Sequence, residues 1–281
     1  MRILIAGCGD VGTQAALQLA AEGHEVFGLR RDPGVLPGPI RPVAGDLTAD
    51  QGLRELPTGI DAVVHAATAG RRDEAAYAAV YRDGLARLLD HVTARDGTAP
   101  RVVFLSSTTV YGDAGGAWVD ETTPVEPGSA TGELIAEAEQ LLLGAPVDGV
   151  VLRLAGIYGP GRTRQIEQVR AGEVVRPDPP VHGNRIHRDD AARALVHLLT
   201  LDAVEPIYLG VDHAPVDRGE VVAWLALELG LPEPPSGPAP SRGGDKRCRN
   251  DRLVASGFVF RYPTYVEGYR AVLRGQGERH P

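Results

Sequence analysis

A chain of 281 residues with 43% hydrophobic side chains can bury one large core, or a core plus a small lobe. A formal charge of −8 excludes a nucleic-acid binder, because no basic face is there to displace counterions. No apolar run approaches the roughly 18 residues of a membrane helix. The two cysteines, one inside a glycine-rich turn, fit a reducing cytoplasm better than a disulfide framework. The chain enters a strand directly after Arg2, with no apolar leader, so a soluble cytoplasmic protein is expected.

In chain order, the short Val-, Ile- and Leu-rich runs predict strands over Arg2–Ala6, Glu25–Leu29, Arg41–Ala44, Ala62–His65, Val102–Leu105 and Val150–Leu154. Helical patterns separate several of them, over Val11–Glu22, Asp73–Ala94 and Glu133–Leu143. Continuous apolar strands alternating with amphipathic helices imply an α/β fold, a doubly wound parallel sheet of the Rossmann type. After Leu154 the texture turns to Gly, Pro and Arg, with one helix near Gln165–Arg170. A helix over Asp189–Leu201 and a strand near Pro206–Leu209 then return to the core. The proline-rich stretch from Leu231 to Pro240 reads as a surface loop. The expected organisation is a nucleotide-binding core of residues 1–155 plus part of 181–230. Residues 156–180 and 231–281 are expected to form a small C-terminal substrate lobe of the same structural unit.

The turn after the first strand reads Gly7-Cys8-Gly9-Asp10-Val11-Gly12. Between a strand and an amphipathic helix, these glycines permit a tight turn, a close approach to pyrophosphate, and close strand–helix packing. The end of the second strand selects the cofactor. An acid there accepts from a ribose 2′-hydroxyl, whereas arginine pairs with a 2′-phosphate. Arg30-Arg31 stand at that spot and predict NADP; Asp32, one step on, leaves NAD as the alternative.

Further motifs follow in order. Gly45-Asp46-Leu47 ends the third strand, and His65-Ala66-Ala67-Thr68-Ala69-Gly70 is a small-residue turn after the fourth. Ser106-Ser107-Thr108-Thr109-Val110-Tyr111-Gly112 ends the fifth strand, and Arg153-Leu154-Ala155-Gly156-Ile157-Tyr158-Gly159-Pro160-Gly161 follows the sixth. In this order and spacing, over nearly the whole chain, the sequence resembles an extended short-chain dehydrogenase/reductase of the NAD-dependent epimerase/dehydratase group. The resemblance implies that Asp46 and Leu47 contact the adenine. It places Ala66, Ala67 and Thr68 beside the cofactor and has Leu154 lining the nicotinamide. It gives Ser107 the role of orienting a substrate carbonyl or hydroxyl, beside Tyr111. Thr108, Trp118, Thr131, Arg162 and Arg242 fall on the substrate side, the last in Arg242-Gly243-Gly244-Asp245.

One feature of that group is missing. The resemblance implies a Tyr-x-x-x-Lys pair on the helix after the fifth strand, and this helix carries Thr131 and Ile135 at those positions. No tyrosine or lysine lies between Gly112 and Tyr158, and Lys246 is the sole lysine. A threonine hydroxyl is far too weak an acid to replace a phenol. Tyr111, Tyr158, Asp113, Asp120 and Glu121 are the alternative proton-transfer groups, each with a bland reading as packing or solvated surface. The expected function is an NAD(P)-dependent oxidoreductase, or an epimerase/dehydratase-like enzyme of atypical mechanism, on a small or nucleotide-sugar-like substrate. The alternative is a catalytically silent NADP-binding sensor or scaffold. No metal-ligand spacing is present among the histidines and cysteines. Asp189 is an N-cap or a functional carboxylate. The helices over Asp73–Ala94 and Glu133–Leu143 are the pair through which relatives dimerise, so a homodimer is the suggested assembly.

Overall fold

Along Arg2–Ala6 (β1), Ile3 and Ile5 enter one hydrophobic cluster while Leu4 and Ala6 enter another, as the two-residue period of a strand covered on both faces requires. The computed structural model describes every residue except 50–52, 54, 55, 72, 94–98 and 239–243. After β1 come α1 (Asp10–Ala21), β2 (Glu25–Arg30), β3 (Arg41–Ala44) and β4 (Ala62–His65). The helix α2 (Glu74–Tyr77) runs through a π-helical turn at Ala78–Arg82 into α3 (Asp83–Thr93), followed by β5 (Arg101–Ser107) and β6 (Trp118–Val119). Next are α4 (Ala130–Leu143), β7 (Asp148–Leu154), β8 (Gly156–Tyr158), α5 (Arg164–Arg170) and β9 (Arg176–Asp178). The chain closes with β10 (Arg185–His187), α6 (Arg188–Thr200), β11 (Ile207–Gly210), α7 (Arg218–Glu228), β12 (Ser236–Pro238), β13 (Arg247–Cys248), α8 (Asp251–Ala255) and α9 (Tyr265–Leu273).

Seven strands form one sheet in the order β11-β7-β5-β4-β1-β2-β3, with every pairing parallel. Leu19 of α1 and Leu195 and Leu198 of α6 cover one face; Leu88 of α3 and Ala138 and Leu142 of α4 cover the other. The strand order reverses between β1 and β4, which opens the crevice where such sheets bind ligands, at the carboxyl ends of the strands.

The expected strands are all present, and the differences lie at their ends. β5 runs on to Ser107 and β7 starts at Asp148. α4 starts three residues earlier than its apolar pattern, because Ser129 caps it by accepting from the Gly132 amide at 3.2 Å. Asp73 likewise caps α2, accepting from Ala76 at 2.9 Å, while the expected end of that helical run at Ala94 lies outside the described residues. The cap of α6 is His187, whose Nδ1 accepts from Asp189 N at 3.1 Å, so Asp189 sits in the first turn and is not the cap. The proline-rich stretch is not wholly loop: Ser236–Pro238 pairs in parallel with β9 at the edge of the lobe.

A third cluster of Tyr158, Ile166, Val169, Val221, Leu225, Tyr265 and Tyr269 forms the lobe around α5, α7 and α9. Packing thus carries α7 into the lobe, although its sequence lies in the 181–230 stretch, and carries Leu253, Phe258 and Phe260 into the main core.

One buried ion pair ties the site-bearing elements together. Arg153 on β7 and Glu139 on α4 are 2% and 1% exposed, and Arg153 Nη2 donates to Glu139 Oε2 at 2.6 Å while Nε donates to Oε1 at 3.0 Å. Ser106 Oγ on β5 donates to the same carboxylate. Arg153 Nη1 donates to the Tyr111 hydroxyl at 2.7 Å, and its guanidinium lies 4.8 Å from that ring. Removing one partner leaves an uncompensated buried charge, so Arg153→Met or Glu139→Leu alone should cost about 3–5 kcal/mol in urea unfolding. The double replacement should recover most of that loss; a double variant as unstable as the sum of the singles would contradict this reading.

Candidate functional site

The three glycines of the turn do three separate jobs. Gly7 has φ of 93°, and a Cβ there would lie 2.2 Å from the Ala67 amide nitrogen, so this glycine lets the first turn close against the turn after β4. A Cβ on Gly12 would lie 2.8 Å from the Gly7 carbonyl oxygen, which fixes how closely α1 approaches β1. Gly9 faces open space, with nothing within 4 Å of the same construction. Its bare backbone at the start of α1 is a cradle that a pyrophosphate can approach, at the positive end of the helix dipole. Cys8 is fully buried, its Sγ 3.6 Å from Thr13 Oγ1, and burial pushes its thiol up from the ordinary range. It therefore lends the turn main chain and packing, while Val11 sits buried behind it. Ala66 continues β4 by donating to the Ala6 carbonyl at 2.8 Å, and Thr68 is exposed at the mouth.

At the end of β2, Arg30 Nη1 donates to the Cys8 carbonyl at 3.2 Å, which holds that side chain along the glycine turn. Arg31 is exposed. Asp32 caps the short turn at Pro33–Val35 by accepting from Gly34 N at 3.3 Å. Asp46 accepts from Thr48 N and Oγ1 at 2.9 and 2.7 Å. Against the upward push of burial, those bonds and Arg31 hold its carboxyl below the usual range. Leu47 is buried against α3.

Asp10 sits at the mouth of the turn, 9% exposed, and collects charges from distant parts of the chain. Arg162 Nε donates to its Oδ2 at 2.7 Å, and Arg188 Nη1 donates to Oδ1. Burial works against the carboxylate, but these two guanidinium groups hold it below its ordinary range. Arg162, expected on the substrate side, therefore stands at the glycine turn. Arg242 lies outside the described residues.

Across the sheet, Ser107 ends β5 beside Leu154 at the end of β7, with the two residues in register. Ser107 Oγ accepts from Thr109 N at 3.2 Å and Thr109 Oγ1 at 3.0 Å, and its own proton remains to be donated. The start of α4 packs against this turn: a Cβ on Gly132 would lie 3.6 Å from the Thr109 carbonyl oxygen. Thr131 is half-buried there, its Oγ1 3.3 Å from Ser129 Oγ, and Ile135 is buried in the core on that face. Thr108 is buried.

The alternative proton donors are committed elsewhere. The Tyr111 hydroxyl donates to the Asp120 carbonyl at 2.6 Å and accepts from Arg153; burial pushes its acidity well below that of a free phenol. That is the geometry of a turn lock, and it leaves Tyr111 no proton for a substrate. Tyr158 is buried against α9, where a Cβ on Gly268 would lie 1.9 Å from its hydroxyl, and its pKa is raised strongly by burial. Asp113 accepts from Gly115 N and Asp245 N, while Asp120 accepts from Thr122 and Thr123. Glu121 accepts from Leu209 N at 3.1 Å. Trp118 is exposed, its ring flanked by Arg247 and Arg249 at 5.0 and 4.9 Å.

Lys246, the sole lysine, has no role legible in the sequence. It is buried, and its Nζ donates to the Gly112 carbonyl at 2.6 Å, while Asp245 accepts from the His182 amide and ring, each at 2.8 Å. These contacts pin the Gly112–Gly116 loop to the C-terminal lobe. No spacing rule links residues so far apart in sequence.

Among the described residues no group of three or more His, Cys, Asp or Glu could hold a metal, and no helix is long and apolar enough to cross a membrane. The tightness around Gly7 sets a clear expectation. Gly7→Ala must distort the turn or the Ala67 segment and should abolish dinucleotide binding by calorimetry while leaving far-UV circular dichroism native. Retained affinity would mean that the turn is not the binding element.

Comparison with known proteins agrees with this geometry. Protein YeeZ of Escherichia coli K12 is 31% identical over 276 residues, covering 93% of this chain and 96% of that protein. A 3-diazoavenalumate denitrifying reductase of a Streptomyces species is 30% identical over 261 residues, with 85% of each chain covered. A Methylobacillus flagellatus structure assigned to the NAD-dependent epimerases/dehydratases superposes with a TM-score of 0.82 at 36% identity, over 98% of both chains. The sequence profile of the NAD dependent epimerase/dehydratase family matches residues 3–209, and the chain belongs to that family.

Proposed function

We propose that the protein is an NAD(P)-dependent oxidoreductase that moves a hydride to a small substrate held at Ser107 without a tyrosine acid. The observation that carries the reading is the contrast within one crevice. The glycine turn has a tightly packed Gly7 and Gly12 around an open Gly9, which supports a dinucleotide there, while the face of α4 beside Ser107 carries Thr131 and Ile135 in place of a tyrosine and a lysine.

When bound, the nicotinamide supplies or accepts a hydride. The chain's part is positional. Gly9 and the start of α1 face the pyrophosphate, Leu154 borders the ring, and Ser107 donates to the substrate from the carboxyl edge of the sheet. Asp46 and Leu47 would contact the adenine, and Ala66, Ala67 and Thr68 would lie beside the cofactor. A substrate suited to this site needs a hydride and no proton from the protein. The Streptomyces relative is named as a reductase that denitrifies a diazo compound. Replacing an aryl diazonium group by hydrogen fits the requirement, since one hydride joins the ring carbon and N2 leaves with the bonding pair of the C–N bond. An iminium ion, or an activated double bond whose carbanion takes its proton from water, is the wider class. Thr108, Thr131, Trp118, Arg162 and Arg242 remain the proposed substrate-side set, with Arg162 shared with the glycine turn. A cytoplasmic enzyme, dimeric through α3 and α4, is the setting we propose.

A silent dinucleotide sensor is the second reading, favoured by the commitment of both Tyr111 and Tyr158 to structural contacts. Under either reading we expect NADP(H) to be the preferred cofactor; what supports this is that Arg30 and Arg31 stand at the end of β2, while Asp32 Oδ1 accepts from Gly34 N of its own turn. Calorimetric titration should therefore show tighter binding of NADPH than of NADH. Arg30→Ala or Arg31→Ala should weaken NADPH by about 1.5–3 kcal/mol, the worth of a hydrogen bond to a charged group. Equal affinities for the two cofactors, or a preference for NADH lost in Asp32→Ala, would overturn the assignment.

A further inference from the structure

Residues 277–281 cross the front of the glycine turn from one end to the other. Gly277 packs on Pro160, where a Cβ would lie 2.6 Å from the proline ring. Arg279 covers Gly161, whose φ of 66° and 2.4 Å clearance leave no room for a side chain, and its Nη1 donates to the Gly161 carbonyl at 3.1 Å. The Glu278 carbonyl accepts from Arg188 Nη2. His280 N donates to Asp10 Oδ1 at 3.2 Å, and the His280 ring lies 2.8 Å from Gln14 Oε1. The Pro281 carbonyl accepts from Arg30 Nη1 at 3.1 Å, the same nitrogen that donates to Cys8.

These stations have an order. They run from the Gly159–Gly161 turn beyond β8, past the start of α1, to the end of β2. A dinucleotide in this fold takes that course from its nicotinamide half, past its pyrophosphate, to its adenosine ribose. The segment is held by polar contacts and by surface packing on Pro160 and Gly161: residues 274–279 and 281 are exposed and His280 is half-buried, so none contributes to a core. Such a segment belongs to the low-stability end of a fold and can open without global unfolding.

We propose that residues 277–281 are a strap that competes with the dinucleotide for Arg30 and the front of the glycine turn, so that cofactor enters by displacing it. This rests on the dinucleotide reading above. A phosphate presents several charged oxygens to a guanidinium, where the strap presents Arg30 with a single oxygen of Pro281, so NADP(H) can evict the strap from Arg30. A binding-competent state that is only partly populated lowers the apparent affinity in proportion.

The test is calorimetric titration of NADPH and NADH into the full chain and into a chain ending at Gln276. Hydrogen exchange of residues 276–281 is followed in the full chain with and without saturating NADPH. The shortened chain should bind each dinucleotide several-fold tighter, on the order of tenfold if the strap is mostly closed, and NADPH should speed exchange in the strap. Unchanged or weaker affinity in the shortened chain, or slower exchange with NADPH, would overturn the strap alone. Failure of both chains to bind either dinucleotide would remove the cofactor reading and the strap with it. Should the shortened chain not fold, the exchange experiment on the full chain decides alone.

Discussion

The Arg153–Glu139 pair constrains everything around the carboxyl end of β5 and β7. A bidentate ion pair about 1–2% exposed is tolerable only when its remaining donors and acceptors are also satisfied, and here Ser106 and Tyr111 satisfy them. The consequence is geometric. The end of β5, the turn carrying Tyr111, the middle of α4 and the end of β7 cannot move independently. Ser107 follows Ser106 and Leu154 follows Arg153, so the residues proposed to meet the substrate and the nicotinamide are each one peptide from the network. The same bonds that fix Ser107 remove Tyr111 from chemistry.

Two halves of the crevice thus have different characters. On the β1–β2 side, backbone is the surface proposed to bind, shaped by glycines whose replacement meets main-chain atoms at 2.2 and 2.8 Å. On the β5–β7 side, side chains hold the frame and little is left over to react. Asp10 links the sides. It draws Arg162 and Arg188, from beyond β8 and from α6, to the front of the glycine turn. An acidic residue beside a pyrophosphate would repel it, but Arg162 and Arg188, the latter shared with Asp189, offset that charge.

Much of this was legible in the sequence, for reasons that can be named. Buried parallel strands are continuous apolar runs, so β1, β2, β4, β5 and β7 are legible with their spans nearly complete, and Gly7, Gly9 and Gly12 declare their turn by spacing. The absence of tyrosine and lysine between Gly112 and Tyr158 needs no structure at all. What stayed hidden depends on long-range polar pairing. Nothing local joins Asp10 to Arg162 and Arg188, or Lys246 to the Gly112 carbonyl, and two- or three-residue strands such as Ser236–Pro238 carry no period to detect. Arginine is frequent throughout this chain, so its position in space, and not its presence, separates a site residue from surface.

The central claim is that hydride moves in this crevice without a proton from the protein. The most direct measurement is single-turnover reduction of an arenediazonium probe by [4-2H]NADPH in H2O and in D2O. The account predicts enzyme-dependent transfer of the label to the ring carbon, an equal rate in the two solvents, and loss of that turnover in Ser107→Ala with NADPH affinity unchanged. A rate that falls severalfold in D2O would contradict it, as would turnover of a simple ketone at the same rate, since either requires a proton donor that Thr131, Ile135 and Tyr111 cannot be.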